Sequence, residues 1–388
     1  MEKNPIPLVK DTISKADIDE LIRWLQTNPR LTKGEKTIEF EAAWSNWLGC
    51  RHSVFVNSGS SANLAIIYAL KLSGRLKNDK VIVPCLSWVT TVSPIIQFGL
   101  QPILCDASRT DLGMDVDRLE KLVDEHDPAV IMIVHALGFP NDMDRILRLC
   151  NDRGILLVED SCESVGSLHR SKKTGTFGFA SSFSTYYGHH FSTIEGGFVC
   201  TNDYEFHNIV KSIRSHGWSR DLDEVARRKL QMEYGVDDFR NLYTFYHPGF
   251  NLRSTDLQAV IGLGQLERLD ASCDRRWNNL LEYDARISNG FWKILVNPKK
   301  MVSNFAYPII HPSVAIIKDR LAEESIECRP LVCGSISRQP FFYERYGHQK
   351  FEFADVVHDY GMYLPNNPDM TVDDISRIAG IVNSVTVR

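Results

Sequence analysis

The feature that most restricts the fold is a set of short, wholly apolar runs separated by helical stretches. Residues 129–134 (AVIMIV) hold no polar position, so both faces of that segment must be covered. Residues 54–57, 80–84, 102–106 and 155–160 read as strands of the same short kind, and 62–72 and 143–151 read as helices. Strands alternating with helices build a mostly parallel sheet covered by helices, an α/β fold. Past about residue 255 the pattern changes. A long amphipathic helix is expected over 256–281, then separated strands (306–310) and helices (314–323, 373–382) of a smaller α+β C-terminal domain. The boundaries are therefore 1–255 for a large domain with its N-terminal segment, and 256–388 for a linking helix and a small domain. Residues 221–241, rich in charge, read as a mobile insertion between the two.

Charge and cysteine usage exclude several partners. The 388 residues carry 44 Lys+Arg against 49 Asp+Glu, a net charge of −5, with no Lys/Arg-rich run, which argues against nucleic acid. No stretch approaches the roughly 18 apolar residues of a membrane span. The start, Met1-Glu2-Lys3-Asn4-Pro5, has no apolar signal core, so a cytoplasmic protein without a membrane partner is expected. Nine cysteines with no Cys-x-x-Cys pair read as free thiols, and no metal site is expected.

Four segments carry candidate chemistry. Gly59, Ser60 and Ser61 lie where a strand passes into a helix; the first N–H groups of a helix bind phosphate, and the same residues equally suit a plain serine cap. Asp160 follows Glu159 at the carboxyl end of a buried strand, where ligands bind in open α/β sheets. An acid there either holds a ring nitrogen protonated, as a pyridine electron sink requires, or makes a cap or salt bridge. Trp88, just past the strand ending at Pro84, either stacks on a planar ring or packs in the core. The polar, glycine-flanked stretch 182–197 contains His189 and His190; adjacent residues of a regular element point apart, so one histidine acting as acid–base group is favoured over a metal pair.

Taken in order, these pieces resemble the DegT/DnrJ/StrS sugar-nucleotide aminotransferases, fold-type I pyridoxal-phosphate enzymes. The resemblance includes Gly34-Glu35, His135-Ala-Leu-Gly138-Phe-Pro140, Thr176-Phe-Gly178, Glu195-Gly-Gly197, Asn251-Leu-Arg253-Ser-Thr255-Asp256 and Arg329-Pro330. It implies a seven-stranded sheet, with Asp160 facing the pyridine nitrogen of pyridoxal phosphate and Trp88 stacked on its ring. Glu163 approaches the ring hydroxyl, and Gly59, Ser60, Ser61 and Ser184 bind the phosphate. Asn251 reaches the phosphate of the neighbouring subunit, which implies a homodimer with shared active sites. His216, Arg220 and Arg329 are candidate substrate contacts, and His190 is structural.

One departure redirects the reaction. In aminotransferases of this family a lysine stands six residues before Glu-Gly-Gly; here that position is His189, and no lysine lies between Lys173 and Lys211. The pattern is similar to a subgroup of 4-keto-6-deoxyhexose 3-dehydratases that carry histidine there. Histidine cannot anchor the cofactor covalently but can still move a proton. The resemblance thus implies pyridoxamine phosphate-dependent removal of the C3 hydroxyl from a nucleotide-linked 4-keto-6-deoxyhexose with release of ammonia. The substrate is GDP-4-keto-6-deoxymannose by resemblance, with CDP or dTDP sugars open and glutamate as amino donor. No Cys-x-Cys element is present, so no iron–sulfur cluster is expected. The competing readings are a sugar-nucleotide 4-aminotransferase lacking the lysine, and a non-catalytic regulator that binds the cofactor or the sugar nucleotide.

Overall fold

The computed structural model describes residues 4–288, 292–294, 296 and 301–385; the remainder of the expected C-terminal domain lies outside them. Helices α1 (Lys15–Gln26) and α2 (Glu35–Leu48) precede β1 (His52–Val56) and α3 (Gly59–Leu72). Then follow β2 (Lys80–Pro84), α4 (Val89–Gln97), β3 (Gln101–Cys105), α5 (Val116–His126), β4 (Val130–Val134), α6 (Met143–Arg153) and β5 (Leu156–Asp160). A short hairpin of β6 (Leu168–His169) and β7 (Lys172–Lys173) leads to β8 (Ala180–Ser184), β9 (Gly197–Thr201) and α7 (Tyr204–Arg214).

The seven long strands form one sheet in the order β1-β9-β8-β5-β4-β2-β3. Only β9 runs against the others. Alternation along each strand feeds two cores: Val130, Met132 and Val134 pack on one face, Ile131 and Ile133 on the other. This double coverage explains why β4 has no polar residue. Helix α3 begins at Gly59, three residues before the expected 62, because the Ser58 hydroxyl accepts the Ser61 N–H at 3.0 Å and caps it.

Two expectations are corrected. Residues 221–241 are not a loop but hold α8 (Glu224–Tyr234) and α9 (Asp238–Asn241). The acids that suggested a solvated loop are helix caps: Asp223 accepts the Ala226 N–H at 2.9 Å and Asp237 the Arg240 N–H at 2.8 Å. The single helix expected at 256–281 is two, α10 (Asp256–Leu266) and α11 (Leu269–Arg286). At the break the Arg268 guanidinium is drawn to Asp17 of α1 (2.7 Å) and to the Gly264 carbonyl (2.9 Å), and its backbone leaves helical geometry.

Helix α10 packs on α1 and α2, and α11 on α15 (Val372–Asn383), so the pair links the two parts. The C-terminal part is α+β, as expected. Its antiparallel sheet runs β10-β12-β11, from β10 (Tyr307–Ile310), β11 (Arg329–Pro330) and β12 (Gly361–Leu364). Helices α12 (Val314–Glu323), α13 (Pro340–Tyr346) and α14 (Glu352–Tyr360) lie between its strands in sequence. Among the described residues no helix is long and apolar enough to cross a membrane.

Candidate active site

The carboxyl ends of the parallel strands carry the site. Asp160 is the last residue of β5. Its Oδ2 accepts from Asn63 Nδ2 (2.7 Å) and Thr91 Oγ1 (2.8 Å), and its Oδ1 accepts the Cys162 N–H at 3.2 Å. Asn63 is oriented in turn by the Ser182 hydroxyl, which donates to its Oδ1 at 2.6 Å. These bonds fix the carboxylate at the sheet edge. Glu159, one residue earlier, points to the opposite face. It accepts the N–H groups of Phe177 (2.7 Å), Gly178 (2.6 Å) and Gly175 (2.7 Å), with His135 Nε2 at 3.1 Å. Of the acid pair, Asp160 lies in the candidate site, and Glu159 holds the 175–178 loop.

The first turn of α3 closes on two neighbours. A Cβ at Gly59 would lie 2.6 Å from Ser184 Cβ and 3.0 Å from Cys162 Sγ, so only glycine lets these three segments meet. Ser184 ends β8 and is buried. Ser60 is exposed, its hydroxyl 3.3 Å from Thr90 Oγ1. Ser61 is engaged by the cap, its hydroxyl accepting from Ser58 at 2.9 Å. Trp88 caps α4 and is 55% exposed, which rules out the core-packing reading and leaves a ring face open.

His189 and Glu163 complete the cluster. His189 Nδ1 lies 2.9 Å from the Cys162 carbonyl. A carbonyl only accepts, so Nδ1 carries the hydrogen and the Nε2 lone pair is left free. Desolvation lowers the imidazole to about 4, opposed by the Cys162 carbonyl and Asp160. His189 is thus a neutral base with a fixed tautomer. Glu163 Oε2 accepts the Leu137 N–H at 2.7 Å, and burial raises its carboxyl to about 7. Near neutral pH it can give or take a proton. His190 points elsewhere, with Nε2 2.9 Å from the Ser303 carbonyl and no exposure, so it is structural.

Four sequence candidates lie outside this cluster. Asn251 is exposed, and its Oδ1 accepts from Arg253 Nε at 3.1 Å. His216, at φ +62°, lies 3.5 Å from Arg253 Nη2, and Arg220 sits 5.5 Å from the Trp218 ring centre. Arg329 is exposed on β11. Among the described residues no hydrogen bond or ring contact joins these four side chains to Asp160, Glu163 or His189. Asn63 and Thr91, which bond Asp160, and Ser182, which orients Asn63, were missed as site residues; the signal was a buried asparagine inside the mainly apolar 62–72 helix. Among the described residues no group of three or more His, Cys, Asp or Glu is arranged to hold a metal ion.

A held acid, an open indole face and a helix N-terminus narrowed by Gly59 fit a planar pyridine ring bearing a phosphate. They define the class: a fold-type I pyridoxal-phosphate site with histidine at the lysine position. The chain belongs to the DegT/DnrJ/EryC1/StrS aminotransferase family, whose pattern matches residues 12–383. It is 30% identical over 387 residues to a GDP-4-keto-6-deoxy-D-mannose 3-dehydratase of Yersinia pseudotuberculosis, covering 97% of this chain and 98% of that one. Its fold matches a GDP-4-keto-6-deoxymannose-3-dehydratase with a trapped PLP-glutamate geminal diamine, at TM-score 0.89 and 29% identity, covering 97% of this chain and 100% of the other. A variant of such an enzyme with bound GDP-perosamine matches at TM-score 0.87 and 28% identity, covering 98% and 100%.

Proposed function

We propose that this chain is a cytoplasmic, pyridoxamine phosphate-dependent 3-dehydratase of a nucleotide-linked 4-keto-6-deoxyhexose, with GDP-4-keto-6-deoxymannose as substrate. The observation that carries the reading is His189, held neutral with Nδ1–H on the Cys162 carbonyl where the family's aminotransferases have lysine. The named relatives support the substrate, the cofactor and glutamate as amino donor.

The cofactor, when bound, supplies an amine for the C4 ketone and a pyridinium electron sink. Asp160 would pair with the ring nitrogen, and its three donors keep the carboxylate fixed for that. Trp88 would stack on the ring, and Glu163 would meet the ring hydroxyl. Gly59, Ser60, Ser61 and Ser184 would hold the phosphate, a grip that would replace a covalent anchor. His189 Nε2 takes a proton at carbon; the imidazolium so formed protonates the departing C3 hydroxyl, which leaves as water. His190 keeps the loop in place. The products would be a 3-deoxy ketone, water and ammonia, the nitrogen being supplied by glutamate, which would leave as 2-oxoglutarate.

The same reading makes the protein a homodimer in which Asn251 serves the neighbour's phosphate. Its support is a set of exposed apolar side chains in the segment that precedes Asn251: Met232, Phe239, Tyr243 and Phe245 are all more than half exposed. Arg220 lies over the Trp218 ring, which packs on Tyr243 and Phe245; it is assigned to substrate, as are His216 and Arg329. The proposed division is 1–255 and 256–388, the helix pair α10–α11 forming the linking element.

The test is incubation with pyridoxal phosphate, glutamate and GDP-4-keto-6-deoxymannose, followed by mass spectrometry of the sugar nucleotide and an ammonia assay. The expected result is a 3-deoxy ketone with stoichiometric ammonia, abolished in His189→Asn. A stable amino sugar would instead make the protein an aminotransferase, and cofactor binding without turnover would overturn the enzyme reading for this substrate.

A further inference from the structure

Arg276 is a cation buried in the wrong company. It is 4% exposed on α11, and among the described residues no carboxylate pairs with it. Its Nε is buried with no partner. Removing a charge from water without a counter-ion is costly, so its bonds are the place to look for a reason. All go to main-chain carbonyls: Nη1 donates to Phe305 (3.0 Å), Asn304 (3.5 Å) and Asn366, and Nη2 donates to His189 (3.4 Å). Phe305 is also the ring packed beside His189, with centroids 5.2 Å apart. An anion site is the obvious alternative, but the cavity at Arg276, lined also by Gly188 and Tyr363, is only about 10 Å³ and holds at most one water.

We infer that Arg276 is the positioning residue of the catalytic histidine, its fork tying the His189 carbonyl to the Phe305 shelf and so fixing where the imidazole stands. This rests on His189 being the base of the proposed reaction. The frame extends further. Asn366 Nδ2 donates to the Arg276 carbonyl (3.1 Å) and to Asn304 Oδ1 (2.9 Å), and Asn304 Nδ2 donates to the Leu137 carbonyl (2.7 Å). The Leu137 N–H is the donor to Glu163. One buried network thus sets both acid–base groups from the C-terminal part of the chain. A lysine offers a point charge and cannot span these carbonyls, whereas the planar guanidinium can. The groups facing His189 are Asp160 and the Cys162 carbonyl, which favour its protonation, and Arg276, which opposes it; the Tyr186 and Phe305 rings complete its surroundings. His190, beside it on the same loop, is itself held neutral by burial.

The test compares wild type with Arg276→Lys and Arg276→Met. In the sugar-nucleotide assay kcat should fall roughly tenfold to a hundredfold, as for a displaced catalytic group, with KM and retained cofactor unchanged. A second readout needs no turnover: ¹⁵N-histidine spectra of cofactor-free protein should show His189 as a single Nδ1–H tautomer in wild type, and mixed or broadened in Arg276→Lys. If Arg276→Met does not fold, Phe305→Leu, which removes the shelf and keeps the arginine, should give the same kcat loss. A folded variant with wild-type kcat, an unchanged His189 tautomer, or a loss carried wholly by KM or cofactor release overturns the inference. Wild-type inactivity toward the sugar nucleotide sinks the proposed function instead, and the spectra still decide Arg276.

Discussion

Acid tests the state of His189 in two independent ways. In the unfolded chain an imidazole titrates near 6.5, whereas in the folded protein desolvation lowers this one to about 4. Between those values the unfolded state binds a proton that the folded state refuses. Stability is therefore intact above about pH 6.5 and declines as pH falls toward about 4. Taking both pKa values into account, the decline between pH 7 and pH 5 is about 2 kcal/mol for a fully buried ring. His189 is half-buried, so solvent screening brings the expectation to between about 1 and 2 kcal/mol. His189→Asn removes this contribution and leaves His190 and His207, also lowered by burial, in both proteins. Urea unfolding of the cofactor-free proteins at pH 7 and pH 5 gives the difference. Wild type should lose that much more stability than the variant over the interval, whatever their order at pH 7. The rate profile of wild type should likewise show no acid limb near 6.5 from this group. Equal losses in the two proteins, together with an acid limb near 6.5 that Glu163→Gln does not remove, would refute a neutral His189.

Three further outcomes follow from particular contacts. Glu159→Ala strands one buried and two part-buried main-chain N–H groups, at about 1–3 kcal/mol for a fully buried one, and should lower the unfolding free energy by about 2–5 kcal/mol or prevent soluble expression. Thr91→Val removes one donor to Asp160, a bond to a charged group worth about 1.5–3 kcal/mol; cofactor retained after gel filtration should fall roughly tenfold or more, with the fold unchanged by circular dichroism. Met232→Glu with Phe239→Glu places two charges on α8 and α9; under the proposed homodimer, wild type should sediment as a dimer and this variant as a monomer with its activity lost.

What was legible in the sequence had a local cause. Strand β2 was read to its observed ends because an apolar run between turn residues needs no partner to be recognised. Asp160 and His189 were singled out from their own segments and Glu163 by the family resemblance, and the structure places all three around the Cys162 segment. What was lost depended on distant partners. The periodicity of 256–281 runs through the break at Arg268, whose cause is an aspartate on α1. The charges of 221–241 looked solvated because an N-cap and a loop acid are the same residue type until the helix is seen. Asp160 and Glu159 differ only in strand parity, which the sequence shows but does not orient. Arg276 had a signal that pattern reading passes over. The buried residues of α11 are Leu269, Cys273, Arg276, Asn279, Leu280 and Tyr283, with one permanent cation at a core position. A charge there is paid for only if its bonds do something an apolar residue cannot. In this chain they end on the carbonyl of the base and on the ring beside it.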